Sequence, residues 1–145
     1  MIRNITLLVF VLAVGVLSAQ TDLLGIAYDM SYESAKTMLA EKGYVLDDGS
    51  SEWVKEFWGS FAGHEDWLTI YVSAPGTIDN WKHEVSTEWD DDWIDEVIDT
   101  TVNLYQIEPE YDEELDSYII QFENGRVLYI YDDYSGNLVL DYGES

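Results

Sequence analysis

Polar and apolar side chains alternate along six stretches of the chain, a pattern typical of half-buried β-strands. In residues 67–73, Leu68 and Ile70 fall on one face of an extended chain, whereas Trp67 falls on the other. Asn124-Gly125 separates two of the stretches and is a strong signal for a tight β-hairpin. The predicted strands are residues 53–61, 67–73, 82–89, 117–123, 126–131 and 137–142.

Two other stretches follow a helical period. Ser31 is a good helix N-cap, and Gly43 ends the apolar periodicity that follows it. Near residue 90, a run of three acids lies where the helix dipole favours negative charge, and apolar residues then recur at helical spacing. The sequence therefore predicts one helix between Ser31 and Gly43 and a second between Asp90 and Pro109.

The order of these elements, a helix followed by three strands and then the same again, predicts the α+β class. We expect two helix–three-strand halves that form one antiparallel sheet, with the helices packed on one face. No long linker separates the halves. Residues 20–145 are therefore predicted to be a single acidic domain with an internal pseudo-repeat at about 25–89 and 90–143. Antiparallel hairpins exclude a Rossmann-type nucleotide site.

The N-terminal residues have the three-part layout of a secretory signal peptide. Arg3 precedes an apolar run over residues 7–17, and Ser18 and Ala19 supply small side chains for a peptidase. The run is shorter than the roughly 20 residues that a membrane-spanning helix needs, and an uncleaved anchor is the alternative. We expect residues 1–19 to be removed and the protein to be exported, either to the periplasm or to the extracellular space.

The chain carries 30 acidic and 6 basic residues, which give a formal net charge of −24. This charge repels nucleic acid and anionic membrane surfaces, so neither is expected as a partner. It favours an unknown protein or a cationic ligand as the partner, and the alternative is that the acidity serves only solubility. Because the chain has no cysteine, the fold has no disulfide framework and must be held by its core.

Residues 25–43 read GIAYDMSYESAKTMLAEKG, and residues 57–72 read FWGSFAGHEDWLTIYV. Both segments resemble a family of small secreted bacterial proteins of unassigned function. The order of helices and strands also resembles β-lactamase-inhibitor-like folds and outer-membrane-assembly lipoproteins, although the lipidated Cys of the latter is missing. Residues 118–142, YIIQFENGRVLYIYDDYSGNLVLDY, are more distantly similar to PepSY-like periplasmic domains. None of these resemblances implies catalysis.

No group of residues in the sequence matches a catalytic or cofactor-binding motif. The two histidines, His64 and His83, are expected at the surface near turns, and no Cys is available as a further metal ligand. Acidic clusters at residues 90–92 and 132–133 offer oxygen atoms to Ca²⁺ but lack the spacing of an EF-hand. A helix N-terminus and a hairpin turn explain them better. We therefore predict no catalytic residue, no metal site and no cofactor.

Tryptophan is the remaining candidate for a binding residue. Most of the six tryptophans are expected in the core, but Trp58 lies beside a glycine and Trp81 follows a polar loop. An exposed pair ringed by acids would be a plausible binding hot spot. The sequence therefore predicts a non-enzymatic secreted or periplasmic binding module that contacts its partner through Trp58 and Trp81. Two alternatives stay open: a hydrolase that uses surface carboxylates, and a calcium-dependent binding domain.

Overall fold

The structure is a computed structural model that describes residues 21–74 and 76–145. The predicted signal peptide, residues 1–19, lies outside the described residues, so its removal and the export of the protein stay predictions. Within the described residues, neither helix combines the length and the apolar character that crossing a membrane requires.

Both helices begin near the predicted positions, and each has a side-chain cap, of which only Ser31 was predicted as one. Ser31 Oγ accepts a hydrogen bond from the backbone N–H of Ser34 at the start of α1 (Tyr32–Glu41). Asp90 Oδ1 accepts hydrogen bonds from two backbone N–H groups at the start of α2 (Asp91–Tyr105). These caps satisfy N–H groups that have no partner within the first helical turn.

Eight strands complete the described part of the chain. Four follow α1: β1 (Val45–Leu46), β2 (Val54–Phe61), β3 (His64–Ser73) and β4 (Thr77–Ser86). Four follow α2: β5 (Glu110–Asp112), β6 (Ser117–Gln121), β7 (Arg126–Asp132) and β8 (Asn137–Glu144). Neighbouring strands all pair antiparallel, in the order β1-β2-β3-β4-β8-β7-β6-β5. The pairing of β4 with β8 therefore joins the first four strands to the last four in one sheet.

The predicted fold class is wrong. It described two helix–three-strand halves with helices packed on one face, whereas the described residues form mostly one eight-stranded antiparallel sheet with two helices. The two strands that the prediction lacked, β1 and β5, contain 2 and 3 residues, which is too few for an alternating pattern to show. The helices also supply fewer core side chains than the prediction implied. α1 buries Ala35 and Leu39, whereas the sheet supplies most of the core. The internal repeat within a single domain stays a prediction.

Alternation along the strands gives the sheet an inner face that belongs to the core. Leu68, Ile70 and Trp81 point to this face, and each is wholly buried. Leu39 from α1 and Val97 from α2 belong to the same hydrophobic cluster. The opposite, outer face carries the intervening residues of each strand.

Candidate functional site

The outer face exposes aromatic side chains on β2 and β3. Trp58 and Trp67 lie directly opposite each other in the β2–β3 pair and are 49% and 47% exposed. Tyr71 follows Trp67 by four residues on the same face of β3 and is also exposed. We refer to Trp58, Trp67 and Tyr71 as the aromatic patch. Clustered exposed aromatic residues are typical of binding surfaces.

Carboxylates border the aromatic patch on three strands. Glu56 and Glu65 are exposed two residues before Trp58 and Trp67, so they share the same face. Glu84 lies opposite Trp67 in the β3–β4 pair. The surface therefore combines apolar area with negative charge, which suits a partner that carries both apolar and positively charged side chains.

The two tryptophans that were predicted to bind a partner do not form a surface pair. Trp58 is exposed, but Trp81 is wholly buried and its ring stacks on Tyr142, with the ring centroids 5.2 Å apart. The expected exposure of Trp81 is therefore wrong. Trp81 precedes Val85 by four residues on β4, so both side chains point to the inner face. The residue that lies opposite Trp58 is Trp67.

A second group of polar side chains is buried at the inner face. We refer to Asp22, Tyr44, Asp66 and His83 as the buried cluster. Asp66 and His83 are fully withdrawn from solvent, and Asp22 is 1% exposed. Asp66 Oδ2 contacts His83 Nε2 on one side of the imidazole ring, and Asp22 Oδ2 lies 3.7 Å from Nδ1 on the other. His83 is thus held between two carboxylates.

Tyr44 completes the buried cluster because a glycine leaves room for its ring. Its hydroxyl donates a 2.6 Å hydrogen bond to Asp66 Oδ2. A Cβ at Gly59, which lies opposite Asp66 in the β2–β3 pair, would come within 2.7 Å of the Tyr44 ring. Burial and the contact with Asp66 raise the pKa of Tyr44 above its ordinary value, so the hydroxyl stays a donor.

Asp22 ties the segment that precedes α1 to the sheet. Its Oδ1 accepts hydrogen bonds of 2.9 and 2.8 Å from the backbone N–H groups of Leu24 and Ile26. Burial raises the pKa of Asp22, although His83 and these two hydrogen bonds act in the opposite direction. The carboxyl group is therefore easier to protonate than one in water.

The buried cluster is arranged to hold parts of the chain together. Both ring nitrogens of His83 face carboxylates, so neither faces a nucleophile. All four side chains of the cluster are buried, so a substrate has no direct access to them. In residues 21–74 and 76–145, no group of three or more His, Asp or Glu side chains is placed to hold a metal ion.

No protein-family model, no curated protein and no solved structure matches this chain. The resemblances drawn from segments of the sequence therefore stay predictions.

The two histidines differ from each other in their surroundings. His64 is partly exposed at the start of β3, where its ring stacks on Trp93 with the centroids 4.3 Å apart. The expectation of a surface histidine is wrong for His83, which is buried. Its position two residues before Val85 on β4 was the signal that sequence reasoning missed, because residues two apart on a strand share a face.

The acidic clusters that were considered for Ca²⁺ use their oxygen atoms locally. Asp90 caps α2. Asp132 Oδ1 accepts a hydrogen bond from the backbone N–H of Tyr134 in the turn between β7 and β8. Asp133 accepts hydrogen bonds from the backbone and side chain of Asn137. Partial burial opposes the charge of Asp133, but these hydrogen bonds hold its pKa below the ordinary value.

Proposed function

We propose that the protein is an exported, non-enzymatic binding module that holds a cationic protein partner against the aromatic patch. The observation that carries this proposal is the exposed Trp58–Trp67 pair, opposed in register on the face that the core does not use. Exposed tryptophans dominate the binding energy of many interfaces, because covering them removes a large apolar area from water.

The charge around the aromatic patch supports a basic partner. Glu56 and Glu65 border the patch, Glu84 beside it is paired with Lys82, and the whole chain has a net charge of −24. Such a surface attracts a basic protein at long range and repels an acidic one. We expect the partner to contribute a segment in which apolar side chains alternate with lysine or arginine, lying across β2 and β3.

Isothermal titration with a peptide of alternating leucine and lysine tests this proposal. The double variant Trp58→Ser, Trp67→Ser should weaken binding by about tenfold or more, because it removes the apolar centre of the contact. Trp89→Ser is the matched control, since Trp89 is 57% exposed but lies outside the patch. A peptide with glutamate in place of lysine should not bind. Equal binding of the two peptides, or an equal loss in Trp89→Ser, would contradict the proposal.

A further inference from the structure

A depression on the outer face lies beside the aromatic patch. Its volume is about 370 Å³, and its lining includes Tyr71, Asn80, Tyr129, Asp141, Gly143 and Glu144. Gly143 is the outward-facing position that follows Asp141 on β8, and it has no side chain to fill the space. A Cβ at Gly143 would come within 3.3 Å of Asn80 Oδ1. Glycine inside a strand is typical of places where another group approaches the backbone closely.

Two tyrosines border the depression from different strands. Tyr71 lies on β3 and is exposed, and Tyr129 lies on β7 and is half-buried. Tyr129 is directly opposite Asp141 in the β7–β8 pair, so an aromatic ring and a carboxylate share one part of the lining. Aromatic faces attract cations, and the attraction grows when the cation is partly withdrawn from water.

Asp141 supplies a negative charge that is only partly compensated. Partial burial raises its pKa, with Lys82 opposing this effect and Glu84 adding to it. Lys82 lies opposite Asp141 in the β4–β8 pair, but its Nζ is 3.3 Å from Glu84 Oε2. The nearby lysine is thus paired with another carboxylate, and an incoming cation would relieve the cost of burying the charge of Asp141.

The other carboxylates at the rim already face an arginine. Arg126 Nη2 lies 3.0 Å from Asp79 Oδ1 and 3.8 Å from Glu144 Oε1. Arg126 is itself buried and donates a further hydrogen bond to the backbone carbonyl of Asp79. Asp141 is therefore the carboxylate in the depression that is best placed to receive a cation from outside.

We propose that this depression binds an alkylammonium group, with the ammonium at Asp141 and the methylene chain between Tyr71 and Tyr129. This chemistry is shared by a lysine side chain of a protein partner and by a free diamine. The inference rests on the proposed function, because Tyr71 belongs to both the depression and the aromatic patch. Four residues along a strand span about 13 Å, which is the separation of Trp67 and Tyr71. One extended partner segment can therefore contact both the aromatic patch and the depression.

Titration with 1,5-diaminopentane and, separately, with the leucine–lysine peptide tests the inference. We expect both to bind and the diamine to compete with the peptide. Asp141→Asn should weaken both by about tenfold, because a charge-assisted contact is lost. Asp95→Asn removes the same charge from an exposed position on α2 and should change either affinity by less than about twofold. Tyr71→Ala should weaken the diamine by about threefold, because the methylene chain loses the aromatic ring that covers it.

The outcomes separate this inference from the proposed function. If the peptide binds through Trp58 and Trp67 but Asp141→Asn acts no more strongly than Asp95→Asn, the inference is overturned and the proposed function stands. If the diamine binds at Asp141 and the peptide does not bind, the depression takes a free amine and the proposed function falls. If neither the peptide nor the diamine binds, both the inference and the proposed function are overturned. An unchanged near-ultraviolet circular dichroism spectrum of Asp141→Asn distinguishes lost binding from misfolding.

Discussion

The outer face and the buried cluster both contain carboxylates, but these carboxylates differ in how much they destabilise the fold, because one group is exposed and the other is buried. Glu56 and Glu65 are exposed, so water and salt screen them and they cost the fold little. Asp22 and Asp66 are buried, and a buried carboxyl group is costly unless it has partners: Asp66 contacts His83, and Asp22 accepts two backbone hydrogen bonds. The acidity of this chain thus has two separate roles: surface carboxylates govern what the protein attracts, and buried ones govern how its segments fit together.

Replacing His83 by leucine should produce the largest effect. The substitution leaves the carboxyl groups of Asp22 and Asp66 buried without the imidazole between them, and each buried polar group that loses its partner costs about 1–3 kcal/mol, or more if it is charged. Urea denaturation near neutral pH should show this loss in the free energy of unfolding. His64→Leu is the matched control and should cost about 1 kcal/mol or less, because His64 is partly exposed. Similar losses in both variants would show that the buried cluster contributes nothing particular.

Two tryptophan substitutions extend the comparison to apolar side chains. Trp81→Ala opens a cavity in the core and should lower the free energy of unfolding by about 3–5 kcal/mol. Trp58→Ala removes an exposed side chain and should cost about 1 kcal/mol or less. The same denaturation measurement checks both. Comparable losses would mean that Trp58 is covered in solution and that the outer face is not free to bind.

The dependence of stability on pH should reveal the contribution of Asp22. Folding raises the pKa of Asp22. Its contribution to stability is therefore complete below the ordinary pKa of 3.8 and is lost as the pH rises through the raised pKa. Asp22→Asn keeps an acceptor for Leu24 and Ile26 but does not ionise, so it should flatten the decline of stability as the pH rises above about 4.

Asp133→Asn is the contrasting variant for this measurement. Folding lowers the pKa of Asp133, so its contribution is present above the ordinary value of 3.8 and is lost as the pH falls through the lowered one. The variant should therefore lose stability at neutral pH and approach the parent protein in acid. The prediction for Asp22 is contradicted if Asp22→Asn makes the decline toward neutral pH steeper.

Salt should give the smallest effect and should act on the exposed carboxylates. The screening length falls from about 10 Å at 0.1 M salt to about 3 Å at 1 M, so repulsion among exposed carboxylates weakens and the melting temperature should rise. The same salt should not restore His83→Leu, because screening does not reach a buried site. CaCl₂ and MgCl₂ at equal ionic strength should act alike. A calcium-selective shift that Asp132→Asn with Asp133→Asn abolishes would favour the calcium-dependent alternative.

The alternating pattern predicted the faces of strands better than it predicted particular large side chains. It put Leu68 and Ile70 on the opposite face from Trp67, as the structure has them, but Trp67 was expected in the core and is exposed. Trp81 and His83 share the parity of Val85, so the same rule, continued back along β4, places both inside. The polar loop before Trp81 and the ionisable character of His83 suggested exposure, and burial in the core overrode both signals.

The burial of Asp22 and the pairing of the short strands could not be predicted from the local sequence pattern. Asp22 lies outside the helices and strands, and its burial depends on His83, which is distant in sequence. The pairing of β1 with β2 and of β5 with β6 likewise depends on the register of the longer strand in each pair. Contacts of this kind form only when the whole chain is in place, so periodicity within a short window does not reveal them.

The brevity of β1 and β5 has a consequence for assembly. These strands lie at the two ends of the sheet and contain 2 and 3 residues. A foreign strand that added to either end would find few open N–H and C=O groups in line, so fibre growth from one sheet to the next lacks a template. Within the described residues, the two ends of the sheet therefore offer little backbone for a partner strand to pair with.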